Sequence, residues 1–175
     1  MTKMNLPTIK DGNLKVEKIT ADSGVVQGDL EVTGQTALNQ GGFMSSGGHG
    51  TTAGTWFRVG TIYNTVHGFA TLITINSTYS YTNNGSITLL LNCAYSSAHI
   101  TLLSKCENAE LITGVRVVKD GTDKMHIQIQ YGVSKTNNVY VSYVVLGRAS
   151  SARLEAGMFV ADSSTYGGVA TTINP

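Results

Sequence analysis

Four histidines, eleven carboxylates and two cysteines are the side chains of this 175-residue chain best suited to acid–base, nucleophilic or metal chemistry. The histidines, His49, His67, His99 and His126, lack the H-E-x-x-H spacing that gathers two imidazoles around one zinc ion. Two cysteines without a compatible histidine cluster do not supply a zinc site either. Hydrolysis of a glycosidic bond generally takes a carboxylate on each side of that bond. Within residues 55–147 no carboxylate occurs before Glu107, which leaves Glu107, Glu110, Asp120 and Asp123, mostly at turns. Glu107 and Glu110 are the pair through which a depolymerising activity would have to act. There is no G-x-S-x-G elbow. The stretch Lys119-Asp120-Gly121-Thr122-Asp123-Lys124 lacks the alternating ligands and closing Glu of a calcium loop. The expectation is a protein with no catalytic residue, no metal site and no cofactor.

Recognition chemistry is better represented. In Tyr79-Ser80-Tyr81-Thr82-Asn83-Asn84, tyrosine rings offer flat apolar faces while Asn and Ser offer donors and acceptors. A sugar, with its CH faces and hydroxyl edges, suits such a surface, so Tyr79, Tyr81, Asn83 and Asn84 are the candidate ligand contacts. The same composition also suits a plain hairpin tip whose tyrosines lie on their own strands.

Strands must position these groups. Residues 56–63, 66–76, 86–93, 98–106, 111–118, 124–131 and 137–147 read as β, separated by turn formers such as Asn83-Asn84-Gly85 and Lys119–Asp123. The cleanest alternation is Lys124–Tyr131, which predicts Met125, Ile127, Ile129 and Tyr131 inward and Lys124, His126, Gln128 and Gln130 outward. The same parity turns Ile87, Leu89, Leu91 and Cys93 inward, with Ile100, Leu102 and Cys106 on the partner strand. A hairpin around Ala94–Ser97 pairs Cys93 with about Ala98 and Cys106 with about Ser86. That sets the two sulfurs ~20 Å apart at ~3.3 Å per residue, beyond the ~7 Å between Cα atoms that a disulfide tolerates. Two reduced core thiols are expected. Two strands break the alternation: Phe69–Ile75 and Val139–Leu146 are apolar on both faces. Such strands must be covered twice. No amphipathic helical segment is available to do it, so a second subunit is the expected cover.

Charge is scarce. Only 13% of residues are charged, against roughly 25% in ordinary soluble domains, and between Glu31 and Lys105 the only one is Arg58. A surface that stays soluble through hydroxyls and amides can meet copies of itself without burying ions. With net charge +1 and no basic stripe, nucleic acid is not an expected partner. No stretch approaches the ~18 apolar residues of a membrane span, and no signal peptide is read at Met1–Pro7.

The chain changes character near residue 55. Residues 1–55 hold 10 of the 20 glycines and too little bulk to offset the backbone entropy of folding alone. Within them Gly12-Asn13-Leu14-Lys15-Val16 is echoed by Gly28-Asp29-Leu30-Glu31-Val32, each a short half-buried strand in pattern. Residues 41–54, with Gly41-Gly42 and Gly47-Gly48-His49-Gly50, read as a flexible neck. The block 55–147 reads as an antiparallel sandwich or jelly-roll knob. The Ser/Ala/Gly-rich tail 148–175 is expected to pack on the knob or on a neighbouring subunit through Leu154, Met158 and Phe159.

The stretch from Gly28 to Asn39 resembles the shaft repeats of bacteriophage fibre proteins, and the block from Trp56 to Gly147 resembles their trimeric carboxy-terminal knobs. The resemblance is one of texture over most of the chain and implies a short fibre, of head-fibre or tail-fibre-tip type. It implies a homotrimer located on the virion, made in the host cytoplasm, whose residues 1–40 combine an anchor with an interlaced β shaft. Leu6, Pro7 and Ile9 would dock on a capsid or tail protein, and Leu14, Val16, Leu30, Val32 and Leu38 would form the shaft core. The knob would meet the host surface or its glycans. The rival expectation is a monomeric carbohydrate-binding module.

Overall fold

The computed structural model describes residues 36–38, 41–65, 68–80, 83–95, 97–106, 111–134, 136–148 and 152–175. The chain divides after Glu31 into two units. The first lies outside the described residues, and with it Leu6, Pro7, Ile9, Leu14, Val16 and Leu30; Val32, in the second unit, also lies outside them.

The described part of the second unit is all-β, with eleven strands in two antiparallel sheets. The larger sheet contains β1 (Thr36–Leu38), β2 (Gly41–Gly50), β4 (Phe69–Ser80), β5 (Asn83–Ala94), β6 (Ser97–Lys105) and β9 (Thr136–Arg148). Its spatial order is β1-β2-β9-β4-β5-β6. The smaller contains β3 (Trp56–Tyr63), β7 (Ile112–Lys119), β8 (Lys124–Tyr131), β10 (Arg153–Ala161) and β11 (Val169–Ile173), in the order β10-β3-β8-β7-β11. Three hairpin-linked strands, β4, β5 and β6, are joined by β9, which returns after the β7–β8 hairpin to lie beside the first of them. That order is of Greek-key type.

The inner faces meet in one apolar cluster. Ile73, Ile75, Ile87, Leu89, Leu91, Val139 and Val141 come from the larger sheet, and Ile62, Val115, Val117, Met125, Ile127, Ile129 and Tyr131 from the smaller. The parity expected of β8 and β5 holds, since Met125, Ile127, Ile129, Tyr131, Ile87, Leu89, Leu91 and Cys93 are all buried. On β6 it holds for Ile100 but not for Leu102, which is exposed. A bulge between Thr88 and Leu89 shifts the β5–β6 register there, and β6 is an edge strand of the larger sheet among the described residues. Cys93 pairs with Ala98, and the Cys106 amide donates to the Ser86 carbonyl at 3.0 Å, the expected hairpin register. Neither cysteine is in a disulfide. Cys93 is in the core, where burial pushes its pKa up to about 12, whereas Cys106 is only half-buried and accepts from the Ser86 amide.

One segment differs from expectation, and the tail takes the first of its two expected places, on its own knob. Residues 41–50 are not a neck but β2, paired with β9 from Gly41↔Val144 to Gly50↔Thr136. A glycine-rich sequence contributes little β-preference of its own, and the ladder to β9 supplies it. Leu38 sits in β1, opposite Gly41. The tail supplies two strands of the smaller sheet, β10 on β3 and β11 on β7. Leu154 and Phe159 are buried in the core of their own chain. The Phe159 ring stacks on Phe57 at 4.6 Å between centroids and meets Tyr131 edge-on at 5.9 Å.

Burying a ring of this size contributes roughly 1.5–3 kcal/mol, and removing it also leaves a cavity. Phe159→Ala is therefore expected to lower unfolding free energy by about 3–5 kcal/mol, read from urea denaturation followed by fluorescence of the single tryptophan. A loss under ~1 kcal/mol, the scale of an ordinary substitution, would show that the tail does not seal the core.

Candidate functional site

The densest group of titratable side chains lies on the outer face of the smaller sheet. His126, on β8, is 3% exposed, and Gln128 beside it is fully buried. Alternation places these residues on the outer side as expected, but not in solvent. Residues 162–167, between β10 and β11, cross over them as a strap. Gln128 donates to the Ser164 carbonyl at 3.1 Å, and Arg116 donates to Gln128 at 2.7 Å and to the Ser163 carbonyl at 3.0 Å. The Tyr166 ring lies 4.8 Å from His126, its hydroxyl donating to Asp162 at 2.8 Å. Arg58 pairs with Asp162 at 3.8 Å. Trp56 completes the layer under the Arg116 guanidinium at 4.1 Å. Gly114 makes room for it, because a Cβ there would come within 2.8 Å of the indole.

His126 joins a hydroxyl to a carboxylate. Its Nε2 is 3.0 Å from Asp120 Oδ2 and its Nδ1 is 2.9 Å from Thr61 Oγ1. Hydrogen bonding from Lys124, then from His126, holds the Asp120 carboxyl below its ordinary range against some desolvation. An ionised Asp120 accepts the Nε2 proton, which leaves Nδ1 to accept from the Thr61 hydroxyl. Burial draws the His126 pKa below its ordinary value, and the Asp120 hydrogen bond only partly opposes this. Hydroxyl, imidazole and carboxylate in this order resemble a nucleophile, its base and the group that orients the base. Yet Thr61 is only 7% exposed, and Tyr166 lies against the imidazole. A substrate reaches the hydroxyl only if the strap lifts. Spacing along the sequence carried no sign of this group, because its members come from β3, β8 and the turn between β7 and β8.

The larger sheet is the opposite. β4 and β5 carry no charged residue, β6 only Lys105 and β9 only Arg148. On its outer side Leu90, Leu72 and Val144 stand in register across β5, β4 and β9. Val144, Leu146 and Leu103 are 51%, 59% and 52% exposed. The doubly apolar strands thus sit side by side at the centre of this sheet. Their inner faces are buried, and no described part of the chain covers Val144 or Leu146.

Of the expected ligand residues, Tyr79 ends β4 and Asn83 and Asn84 open β5, with Ser80↔Asn83 and Thr78↔Asn84 paired. Tyr81 lies outside the described residues, as do Glu107 and Glu110. The opposite end of the same strands holds a group that composition did not mark. Between the paired residues Ala94 and Ser97 the connection is two residues long. Its first residue, Tyr95, has φ +53° and is 67% exposed. Such turns favour Asn or Gly, and left-handed backbone costs another residue on the order of 1–2 kcal/mol. Thr65 clamps this conformation. Its carbonyl accepts from the Tyr95 amide at 2.8 Å, and its hydroxyl donates to the Tyr95 carbonyl at 3.0 Å. A tyrosine where the turn asks for Asn or Gly is the signal the sequence did carry.

No family model matches this chain, and no curated protein matches it. Two solved structures are similar. One is WceF of Pantoea stewartii, described as a glycan biofilm modifying enzyme with a bacteriophage tailspike-like parallel β-helix fold. It matches at TM-score 0.51 and 13% identity over 81% of this chain and 23% of that one. The other is the tailspike protein of Acinetobacter phage vB_ApiP_P1, at TM-score 0.45 and 12% identity over 79% of this chain and 26% of that one. The structural neighbours are tailspike-like. The chain spans about a quarter of each neighbour. All pairings among its described strands are antiparallel, so a parallel β-helix is not what it has in common with WceF. At this identity the likeness is one of fold.

The buried imidazole sets a pH dependence. The unfolded chain protonates His126 near the ordinary value of about 6.5, whereas the folded chain, with its lowered value, resists. Stability is therefore full above that pH and falls as pH drops through it, levelling off below the folded value. Asp120 adds a second loss below about 3.9, its ordinary value. Thermal unfolding between pH 8 and pH 3 is expected to show both phases, with the first missing in His126→Gln; an unchanged first phase would exclude His126 as its source.

Proposed function

We propose that this chain is a structural virion protein of the fibre or tailspike kind. It assembles as a homotrimer and presents its β-sandwich, of jelly-roll type, for weak multivalent attachment to a host surface or its glycans. In this reading it performs no catalysis and needs no cofactor. Residues 1–40 are the anchoring and shaft segment, with Leu6, Pro7 and Ile9 docking on a capsid or tail protein and the G-x-L-x-V echoes interlacing around the threefold axis. The observation that carries it is the uncharged outer face of the larger sheet, where Leu72 and Leu90 are half-buried, Val144 and Leu146 are exposed, and no described residue covers Val144 or Leu146. A copy packed on the row of Leu72, Leu90 and Val144 meets no ion to desolvate, so apolar contact at ~25 cal/mol per Å² is not offset by charge burial. The tailspike-like fold neighbours support the same class of protein. Trimerisation would multiply weak contacts into avidity without any new contact.

Light scattering tests the assembly. The expected mass is three times the 18.5 kDa of one chain, and a mass of one chain at micromolar concentration would favour a stand-alone carbohydrate-binding module instead. Val144→Lys is a sharper probe. Val144 is half exposed within one chain, so the change is expected to alter the stability of an isolated copy by no more than about 0.5 kcal/mol. It would nevertheless place a charge in every interface and dissociate the assembly. An intact multimer in this variant would put the contact elsewhere.

A further inference from the structure

The outer side of the larger sheet is not evenly filled. One residue row past Leu72 and Leu90, towards the β5–β6 turn, Gly147, Ala70, Asn92 and His99 lie in register across β9, β4, β5 and β6. Two residues with little or no side chain beside two larger ones make a shallow concavity of about 650 Å³, closed at its turn end by Ser97. That volume is within the ~300–1,000 Å³ of small-molecule sites. A Cβ built on Gly147 meets nothing within 4 Å, so the floor is open rather than filled by neighbours. Asn92, Ser97 and His99 are exposed, and none of their side chains has a hydrogen-bond partner among the described residues. No charged residue lines the concavity. Next along the chain from its edge stands Tyr95, two-thirds exposed and held in left-handed backbone by Thr65.

We propose that this concavity binds a neutral carbohydrate ring, with Tyr95 of the adjoining turn as a further contact. Asn92 supplies a paired donor and acceptor, Ser97 a hydroxyl and His99 an imidazole to the hydroxyl edges of the sugar. The phenol ring offers a flat face to its CH groups. Gly147 and Ala70 let the ring approach the sheet. Absence of a cation or carboxylate in the lining selects an uncharged sugar over a uronate. Retaining a tyrosine where the turn favours Asn or Gly is the pattern expected when local strain is kept for a site. The inference gives a location and a ligand class to the attachment role proposed above, and rests on it. It puts contact at the β5–β6 end of the larger sheet rather than at the turn formed by residues 79–84.

Saturation-transfer NMR on the full chain, with the methyl glycosides of glucose, galactose, mannose and N-acetylglucosamine as probes and methyl glucuronide as the charged control, tests it. At least one neutral glycoside is expected to receive saturation. Two variants should weaken that binding tenfold or more. Tyr95→Asn keeps a residue at home in the turn while removing the ring, and Gly147→Leu fills the floor at ordinary strand backbone. Both are expected to fold and to keep the assembled mass of the parent. Saturation of none of the neutral probes, of the glucuronide alone, or undiminished saturation in both variants would overturn the site. A single-chain mass with binding retained would instead overturn the trimer and leave the site standing.

Discussion

The pairing of β4 with β9 is the constraint on which the remainder of the molecule depends. Both strands are apolar on two faces, and they lie at the centre of the six-stranded sheet. One set of side chains, including Ile73, Ile75, Val139 and Val141, joins the smaller sheet in a common core. The other set cannot. A two-layer sandwich has no third layer, and the described chain contains no helix to provide one. With no charge on β4 or β5, the outer face carries Leu72, Leu90 and Val144 in one row, and beyond it only hydroxyls and amides such as Thr74, Thr88, Asn76 and Ser86.

The two sheets solve their outer faces in contrary ways. On the smaller sheet, polar side chains that alternate outward are covered by the chain itself. The strap 162–167 supplies carbonyls to Arg116 and Gln128 and a ring to His126. Buried polar groups are tolerable only when partnered, and here the partners come largely from backbone. On the larger sheet, exposed apolar groups have no such cover. Charge follows the same division: Arg58, Arg116, Lys119, Lys124, Arg153 and Glu155 are all on strands of the smaller sheet. One face of the sandwich is thus covered by its own chain, while the other leaves Val144 and Leu146 uncovered by any described residue.

Between these faces the β5–β6 turn stands out for its conformation. Tyr95 holds a backbone angle that the turn geometry reserves for smaller residues, and Thr65 fixes it with two hydrogen bonds from another segment. Long-range clamping of this kind stabilises a costly local conformation through the rest of the fold.

The sequence alone determined the strands that carry their own signal. Period-two alternation after the Asp120-Gly121 turn located β8 to the residue, the bounds read for β3 match as well, and the inward set of β5 and β8 followed from parity, whereas Asn83-Asn84-Gly85, read as a turn, lies within β5. It also marked β4 and β9 as strands with apolar residues on both faces, since that excess is visible in the pattern. Tertiary structure decided what local pattern cannot express. β2 is glycine-rich and becomes a strand because β9 offers a ladder. His126 alternates outward yet is buried because a segment nearly forty residues later crosses it. The Thr61–His126–Asp120 group exists only because β3 pairs with β8. Alternation tells which side of a sheet a residue takes, through bond geometry local to the strand. What lies on that side is set by chain that arrives from far away, and so is written only in the fold.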